Sequence, residues 1–387
     1  MINYKNLDEL DAAGSYLIKL LYAVLHEKEA PALPADLNWR LIYDMAKMHS
    51  VETMAFYGAE PFIRDDAELY QNWKKSRDAN IAQSLHQIEA RKEVFQALHE
   101  TGIRFLPLKG YEMKYLYPRL EFRQMADIDI LVDPDKTSQV QEIMQNLGYR
   151  KKTETFPHHD EYFRPPFITV EIHHQLLLVG DDRQEYYDNI WDRSLRDKNN
   201  PGAYKLTPDD FYIYQIAHFA KHYNLMGSGI RSVMDIYIYL KKYGNALNRQ
   251  YVRKELKKLD IYDFCIKMEK LSLIWFSAST PKPDIDPKEL QELERNIFLS
   301  GVYGSLEFSR FKKMTSVQAG KKKWQGLKYF WHRIFVTRQH LTYSYPILKK
   351  YPLLLPFFGI YRIFYVLRHR RETIKRELEL FRLSKKE

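Results

Sequence analysis

The chain has 387 residues, of which 45% are hydrophobic and 14% aromatic, and it contains one cysteine, Cys265. This composition is typical of a globular protein with a real core, excludes fibrous and broadly disordered classes, and at this length predicts two or three domains. One cysteine excludes an intramolecular disulfide, and because no apolar run follows Met1 we expect a cytoplasmic protein and not a secreted one.

The net charge of +10 is unevenly distributed along the chain. Residues 311–387 carry 19 Lys and Arg against four acidic residues, a net of +15, so the other 310 residues carry −5. The basic character therefore belongs to a C-terminal segment. The part of the chain that would hold an active site is mildly acidic.

The first hundred residues are predicted to be helical. Apolar residues recur there at three- and four-residue spacing in segments 16–25, 41–56 and 67–98, which is the period of a helix with one buried face. Gly102 is expected to end the last of these helices. No catalytic motif is found in this part of the sequence.

Strands and helices then alternate over short distances up to residue 179. An apolar run with a glycine stop at 103–110 predicts a short buried strand, and Gly148 ends a helix predicted from Lys136. The other predictions are a helix at 111–117 and strands at 128–132, 149–156 and 167–178. Since several links between strands are too short for helical crossovers, we expect a small mixed sheet between residues 102 and 179.

After Pro201 the pattern is helical again. Thr207 is predicted to cap a helix, with Pro208 at its first position and Asp210 in the capping-box place. Further helices are predicted at 211–223, 231–243 and 263–276, and from 288 onward. The predicted fold class is therefore α+β, with a small mixed sheet flanked by N-terminal and C-terminal helical regions.

Two acidic residues share one face of the strand at 128–132. Side chains alternate along a strand, so Asp127 and Asp129 project to one side while Ile128 and Ile130 pack on the other. Adjacent carboxylates repel each other unless a cation neutralises them, and hard oxygen ligands at this spacing suit Mg²⁺. The alternative interpretation is a turn or cap feature at the strand end.

A third carboxylate is found on a later predicted strand. Alternation there puts Thr169, Glu171 and His173 on one face, and a neighbouring strand would bring Glu171 beside the aspartates. Three carboxylates can hold two metal ions on either side of a phosphorus atom, which is the chemistry of phosphoryl or nucleotidyl transfer.

Three motifs in chain order resemble the nucleotidyltransferase superfamily, to which DNA polymerase beta-like enzymes belong. They are Leu108-Lys109-Gly110, the segment Arg123 to Val132, and the segment Val170 to His173. Within that superfamily the chain is most similar to a family of uncharacterised bacterial nucleotidyltransferases. The resemblance extends through the helical segments 218–224 and 229–240 and covers residues 103–240.

The resemblance implies a set of ligands for two metal ions. Asp127, Asp129 and Glu171 would bind two Mg²⁺ ions, with Mn²⁺ as an alternative, and Glu171 would help to activate an acceptor hydroxyl. All three would be catalytic residues. His173 shares the face of Glu171, so we expect it in the nucleotide site, with a purely structural role as the alternative.

The resemblance also implies how the triphosphate is bound. Gly110 would let the backbone approach the phosphates, and Lys109 or Arg123 would neutralise their charge. The sequence departs from the family pattern at Gly110-Tyr111, where a Gly-Ser pair is usual, and in a somewhat long gap between Gly110 and Asp127. These departures concern nucleotide affinity more than metal binding.

A helical face carries further candidate residues. His218, Lys221 and His222 share one face of a helix, and the resemblance places that helix against the sheet, so we expect all three to line the nucleotide cleft. A zinc site is the less favoured interpretation because no further ligand has a diagnostic spacing. Arg231 and Asp235, also four residues apart, are predicted to form an intrahelical pair.

The tract His158-His159-Asp160-Glu161 resembles a metal-binding sequence. Because it falls between two predicted strands, it is predicted instead to be a solvated polar loop.

Four regions are predicted: a helical N-terminal region at 1–101, a nucleotidyltransferase core at 102–200, a helical domain at 201–310 and a basic, aromatic tail at 311–387. The predicted enzyme transfers a nucleoside monophosphate from a nucleoside triphosphate, with ATP as the expected donor, to a hydroxyl acceptor that the sequence does not identify.

Two other functions are kept as alternatives. One is a non-catalytic binding or regulatory protein of the same fold, acting as a partner of a toxin or of a surface-polysaccharide system. The other is RNA binding through the basic tail. The apolar stretch 352–367 within that tail also suits peripheral contact with the inner face of a membrane, although a buried terminal helix is favoured.

Overall fold

The structure of the protein is a computed structural model that describes residues 6–108, 110–152, 158–176, 183–198, 200, 202–225, 227–279 and 282–301. All of these residues belong to one compact unit, Met1–Gly304. Lys109 and the basic tail lie outside the described residues, and so do the predictions made for them.

The described residues form twelve helices and seven strands. The helices are α1 (Leu7–Leu25), α2 (Trp39–Met48), α3 (Glu52–Ile63), α4 (Ala67–Glu100), α5 (Gly110–Lys114), α6 (Thr137–Asn146), α7 (Gln184–Tyr187), α8 (Pro208–Leu225), α9 (Ile230–Tyr243), α10 (Arg249–Lys258), α11 (Tyr262–Phe276) and α12 (Pro287–Ser300). The strands are β1 (Phe105–Pro107), β2 (Ile128–Val132), β3 (Arg150–Lys151), β4 (His159–Arg164), β5 (Ile168–His173), β6 (Ser194–Arg196) and β7 (Tyr204–Leu206).

The central sheet is small and mixed, which confirms the predicted α+β class. Its five strands lie in the order β1-β2-β5-β4-β3, with β2 and β5 parallel and the other neighbours antiparallel. Strands β6 and β7 form a separate hairpin, and Gly202, just before β7, accepts a hydrogen bond from the backbone of Phe105 on β1.

One face of the sheet is buried against α4 and α6. The alternation predicted for β2 and β5 is confirmed there, because their apolar side chains enter one hydrophobic core with side chains of the two helices. The core residues from these four elements are Ala90, Val94, Leu98, Ile128, Ile130, Val132, Val140, Met144, Ile168, Val170 and Ile172. The polar residues of β2 and β5 must therefore face the opposite side.

Helices from both ends of the described chain pack together beside the sheet. Helix α1 contacts α2 and α3 and also α11 and α12. Phe298 of α12 lies against Gly14 of α1 and stacks on Trp275 of α11. None of the helices in the described part of the chain has the length and apolar character needed to cross a membrane.

Helix α8 begins as predicted. The Thr207 hydroxyl accepts a hydrogen bond from the backbone N–H of Asp210 at 3.1 Å, which satisfies one of the unpaired donors at the helix start. The same hydroxyl donates to the Asp210 carboxylate at 2.8 Å.

Candidate active site

The polar face of the sheet forms one wall of a cleft of about 580 Å³. Helices α8 and α9 contribute the facing residues. The lining residues from the sheet side are Asp127, Asp129, His158, His159, Glu161, Glu171 and His173. Those from the two helices are Tyr214, Gln215, His218, Phe219, Lys221, His222, Arg231, Ser232 and Asp235.

Strand pairing brings two of the predicted carboxylates together. In the parallel register of β2 and β5, Asp129 is directly opposite Glu171. Side chains opposite each other on one face of a sheet are close neighbours. Asp127 precedes β2 and lines the same cleft.

His173 bridges the two carboxylates. Its Nε2 donates to Asp129 Oδ1 at 2.9 Å and lies 3.3 Å from Glu171 Oε2. Burial alone would lower the pKa of His173, but the hydrogen bonds and charges of Asp129 and Glu171 outweigh burial and raise the pKa to about 9. The carboxylates thus hold a positively charged imidazolium at neutral pH. The imidazolium therefore offsets part of the negative charge of Asp129 and Glu171.

The tract that starts at His158 is not a solvated loop, so that prediction was wrong. Residues His159–Arg164 form β4, which pairs with β5 on one side and β3 on the other. His158 and His159 are both buried. The tract is polar because one face of β4 lines a polar cleft. Composition alone does not distinguish such a strand from an exposed loop.

The histidines of this tract extend the donor set of the cleft. His159 Nε2 lies 3.8 Å from Glu171 Oε2, and the His159 and His158 rings are hydrogen-bonded at 3.0 Å. Burial, helped by the neighbouring positive charges of His159, His173 and Lys221, lowers the pKa of His158 to about 3. His158 is therefore neutral at physiological pH.

The donor set fits a divalent metal ion. One ligand atom from each of His159, Glu171 and His173 lies within 4.8 Å of the other two, and Asp129 is hydrogen-bonded to His173 Nε2. Carboxylate oxygens suit Mg²⁺ and Mn²⁺, whereas imidazole nitrogens suit the transition metals. The nitrogen donors are the part of this set that the sequence prediction did not include.

Arg123 lines the cleft, but its guanidinium is occupied by the protein. Its Nε and Nη2 donate to the two carboxylate oxygens of Asp235, each at 2.9 Å, and its Nη1 donates to the Gly110 carbonyl at 3.0 Å. Tyr117 also donates to Asp235, at 2.7 Å. This buried cluster ties the start of α5 to α9, so in this structure the charge of Arg123 is neutralised within the protein.

The prediction that Arg231 pairs with Asp235 was wrong, because Asp235 pairs with Arg123 instead. Both Asp235 oxygens are taken by Arg123, and Arg231 Nη1 donates instead to the Gln124 carbonyl at 2.7 Å. Arg231 Nε is buried and has no hydrogen-bond partner among the described residues. Arg231 is therefore a positively charged residue of the cleft, although its four-residue spacing from Asp235 had predicted an ion pair within the helix.

Gly110 lies close to neighbouring side chains. A Cβ at this position would lie 3.0 Å from Met125 Cε and 3.3 Å from Arg123 Nη1, so little space remains for a larger residue. Tyr111, the departure from the Gly-Ser pattern, packs against Tyr115 and under the guanidinium of Arg91. Its ring therefore points away from the lining of the cleft.

Helix α8 places its polar residues along the opposite wall. His218, Lys221 and His222 all line the cleft, and the Nε2 atoms of the two histidines are hydrogen-bonded at 2.9 Å. Gln215 lies on the same wall and was missed from the sequence. Gln215 lies three residues before His218 and seven before His222, so it is on the same helical face, and this spacing could have predicted its place in the cleft.

Comparison with known proteins gives one match. Residues 35–277 match a family model described as an uncharacterised nucleotidyltransferase. Neither the curated proteins nor the solved structures yield a match to this chain. The matched range contains every residue that lines the cleft.

Proposed function

The chain belongs to the uncharacterised nucleotidyltransferase family, and from this premise we propose that it transfers a nucleoside monophosphate from a nucleoside triphosphate to a hydroxyl group. ATP is the expected donor. The observation that carries the proposal is the trio of Asp129, Glu171 and His173 on one wall of the cleft, in which His173 Nε2 lies 2.9 Å from Asp129 and 3.3 Å from Glu171.

The reaction is an in-line displacement at the α-phosphorus. The acceptor oxygen forms the new P–O bond as the bond from the α-phosphorus to the bridging oxygen of the β-phosphate breaks. Pyrophosphate leaves with that electron pair, and the acceptor proton passes to the Glu171 carboxylate, the proposed general base. His173, hydrogen-bonded to Asp129 and close to Glu171, keeps both carboxylates in position.

We assign the metal ligands to Asp127, Asp129 and Glu171. Mg²⁺ or Mn²⁺ at these residues would supply the charge neutralisation that the triphosphate and the leaving pyrophosphate require. His159 adds a nitrogen donor next to the carboxylates, which favours Mn²⁺ more than a site made of oxygen ligands alone.

The opposite wall is suited to the phosphates. Lys221 and Arg231 provide positive charge there, and His218 and His222 provide further hydrogen-bonding groups. Lys109 stays a predicted phosphate ligand. Arg123 is assigned instead to holding Gly110 and Asp235 in place.

Thermal unfolding with and without ligand tests the proposal. The melting temperatures of the wild type and Asp129→Asn are compared in buffer alone, with Mg²⁺ or Mn²⁺, and with metal plus each of the four nucleoside triphosphates. A ligand at 100 times its dissociation constant stabilises the native state by about 2.7 kcal/mol. We expect a metal-dependent upward shift with at least one nucleotide in the wild type and its loss in Asp129→Asn.

Asp133→Asn is the matched control. Asp133 directly follows β2 and forms an ion pair with Arg104, at 2.5 Å between Oδ2 and Nε, away from the cleft. This variant should melt close to the wild type and keep the full nucleotide shift. A wild type that melts cooperatively but shifts with no nucleotide would contradict the proposal and favour the non-catalytic alternative.

A further inference from the structure

Gln215 is a buried side chain with no hydrogen-bond partner in the part of the chain that the structure describes. It is 8% exposed, it lies on α8, and it lines the cleft. Both its amide nitrogen and its amide oxygen are buried, and neither has a hydrogen-bond partner among the described residues. A buried amide without partners destabilises the native state, so an unpaired donor next to an unpaired acceptor requires an explanation.

The other two buried glutamines each make a hydrogen bond through the amide nitrogen, although Gln87 Oε1 has no partner among the described residues. Gln87 donates from Nε2 to the Met125 carbonyl at 3.0 Å, and Gln124 donates from Nε2 to the Thr53 hydroxyl at 2.8 Å. Each of these side chains joins two parts of the protein. Gln215 makes no such connection among the described residues, although it lines the cleft.

The surroundings of Gln215 narrow the chemistry of its ligand. An amide carries no net charge and presents a donor next to an acceptor, so the group that matches it best is a neutral one that presents an acceptor next to a donor. Phe219, one turn further along α8, also lines the cleft and offers an aromatic surface. The ligand group at this position therefore has a hydrogen-bonding edge and apolar faces.

Gln215 and the carboxylates come from different walls of the cleft. Gln215 lies on α8, whereas Asp129 and Glu171 lie on β2 and β5. In the proposed reaction the reacting phosphorus lies at the carboxylates, so we expect Gln215 to contact another part of the substrate.

We propose that Gln215 binds the edge of the nucleobase of the donor nucleotide through a pair of hydrogen bonds. The amide fits the amino group and ring nitrogen of adenine or cytosine in one orientation, and the carbonyl and ring N–H of guanine or uracil when rotated by 180°. Gln215 is then the residue that distinguishes a base-bearing triphosphate from one without a base. This inference rests on the proposed nucleotidyl transfer.

Calorimetric binding to the full-length protein tests the inference. The ligands are α,β-methylene analogues of the four nucleoside triphosphates, which release no pyrophosphate, and inorganic tripolyphosphate, each with Mg²⁺. In Gln215→Leu we expect the dissociation constant of the preferred analogue to rise about 10-fold to 100-fold, as for loss of a bidentate base contact. The dissociation constant of tripolyphosphate should stay unchanged.

The melting temperature of ligand-free Gln215→Leu shows whether the variant is correctly folded. Replacing an unpaired buried amide by an apolar side chain of similar size should leave the melting temperature of the ligand-free protein unchanged or raise it. Gln87→Leu is the matched variant, because it removes a buried glutamine that is hydrogen-bonded and lies outside the cleft. It should melt at a lower temperature and keep the wild-type preference for the analogue over tripolyphosphate.

Three outcomes overturn the inference. An unchanged affinity of Gln215→Leu for the preferred analogue overturns it and leaves the proposed function standing. An equal loss for the analogue and for tripolyphosphate does the same. Absence of analogue binding to the folded wild type overturns the proposed function and this inference together.

Discussion

At the scale of single residues, a buried ion pair holds parts of the candidate site in position. Arg123 and Asp235 form an ion pair with both side chains less than a tenth exposed, and the pair also binds Tyr117 and the Gly110 carbonyl. Removing a charge from water is costly, and the mutual attraction offsets that cost only when the geometry is good and the remaining groups are bonded. Here every nitrogen of the guanidinium has an acceptor.

Asp235→Ala should therefore be strongly destabilising. The change leaves the Arg123 charge buried and unpaired, which lowers the free energy of unfolding by about 3–5 kcal/mol, as measured by urea denaturation. The double variant Arg123→Met/Asp235→Leu should recover most of this loss because it leaves no buried charge.

The exposed pair Arg40–Glu68 is the control for that prediction. Its atoms are 3.8 Å apart and its side chains are 58% and 82% exposed. Glu68→Ala should change the free energy of unfolding by less than about 0.5 kcal/mol. Similar losses for Asp235→Ala and Glu68→Ala would show that the buried pair has no special role in stability.

At the scale of elements, close packing between helices limits which residues are tolerated. Gly14 lies within α1, and a Cβ added there would come closer to the Phe298 ring than carbon atoms normally pack. The ring cannot easily move, because it is buried and stacked on Trp275 with centroids 5.6 Å apart. The first and last described helices are held in direct contact at this point.

Gly14→Ala should reverse the usual effect of this substitution in a helix. At an exposed site Ala stabilises a helix by about 1 kcal/mol over Gly, but here overpacking should lower the free energy of unfolding by about 1–3 kcal/mol. Differential scanning calorimetry measures the change. In a Phe298→Leu background the smaller side chain makes room, so Gly14→Ala should be less damaging there; an equal cost in both backgrounds would exclude the clash as its cause.

At the scale of the whole molecule, His49 links three helices. It lies just after α2 and is completely buried; its Nε2 donates to the Phe298 carbonyl of α12, and its Nδ1 accepts from the Ile230 N–H at the start of α9, both at 3.2 Å. Burial lowers the pKa of His49 to about 3, although the bond to Phe298 opposes this shift. Protonation would place a second donor against the Ile230 N–H.

Global stability should consequently fall in acid. Between pH 6.5 and about 3 the unfolded chain binds a proton at His49 that the folded chain does not, so the free energy of unfolding falls by up to about 1.4 kcal/mol per pH unit. Above pH 6.5 both states are neutral and His49 adds no pH dependence. Urea denaturation at several pH values measures this slope.

The variant His49→Gln shows how much of the pH dependence of the free energy of unfolding is due to His49. It should be less stable than the wild type at pH 7.5 but should lose less stability between pH 6.5 and 4.5. Some dependence should remain, since the pKa of His158 is also lowered to about 3. Parallel pH curves for the two proteins would show that His49 does not control acid stability.

Many of the elements, and the faces of β2 and β5, could be predicted from the sequence alone. Two-residue alternation assigned Ile128 and Ile130 to the core and Asp129 to the other face, and the Thr207 cap marked the start of α8 correctly. These features depend on neighbours along the chain, so local patterns suffice to predict them. The family motifs added the expectation that Asp127, Asp129 and Glu171 act together.

The partners of the polar residues depend on the three-dimensional fold and could not be predicted from the sequence. The strand order makes β4 part of the site, although its polar sequence had predicted a loop. Asp235 pairs with Arg123, which is more than one hundred positions away, and not with Arg231 on its own helix. The unpaired amide of Gln215 was equally invisible in the sequence. Hydrogen bonding and burial depend on distances across the fold, and a pattern along the chain carries no record of those distances.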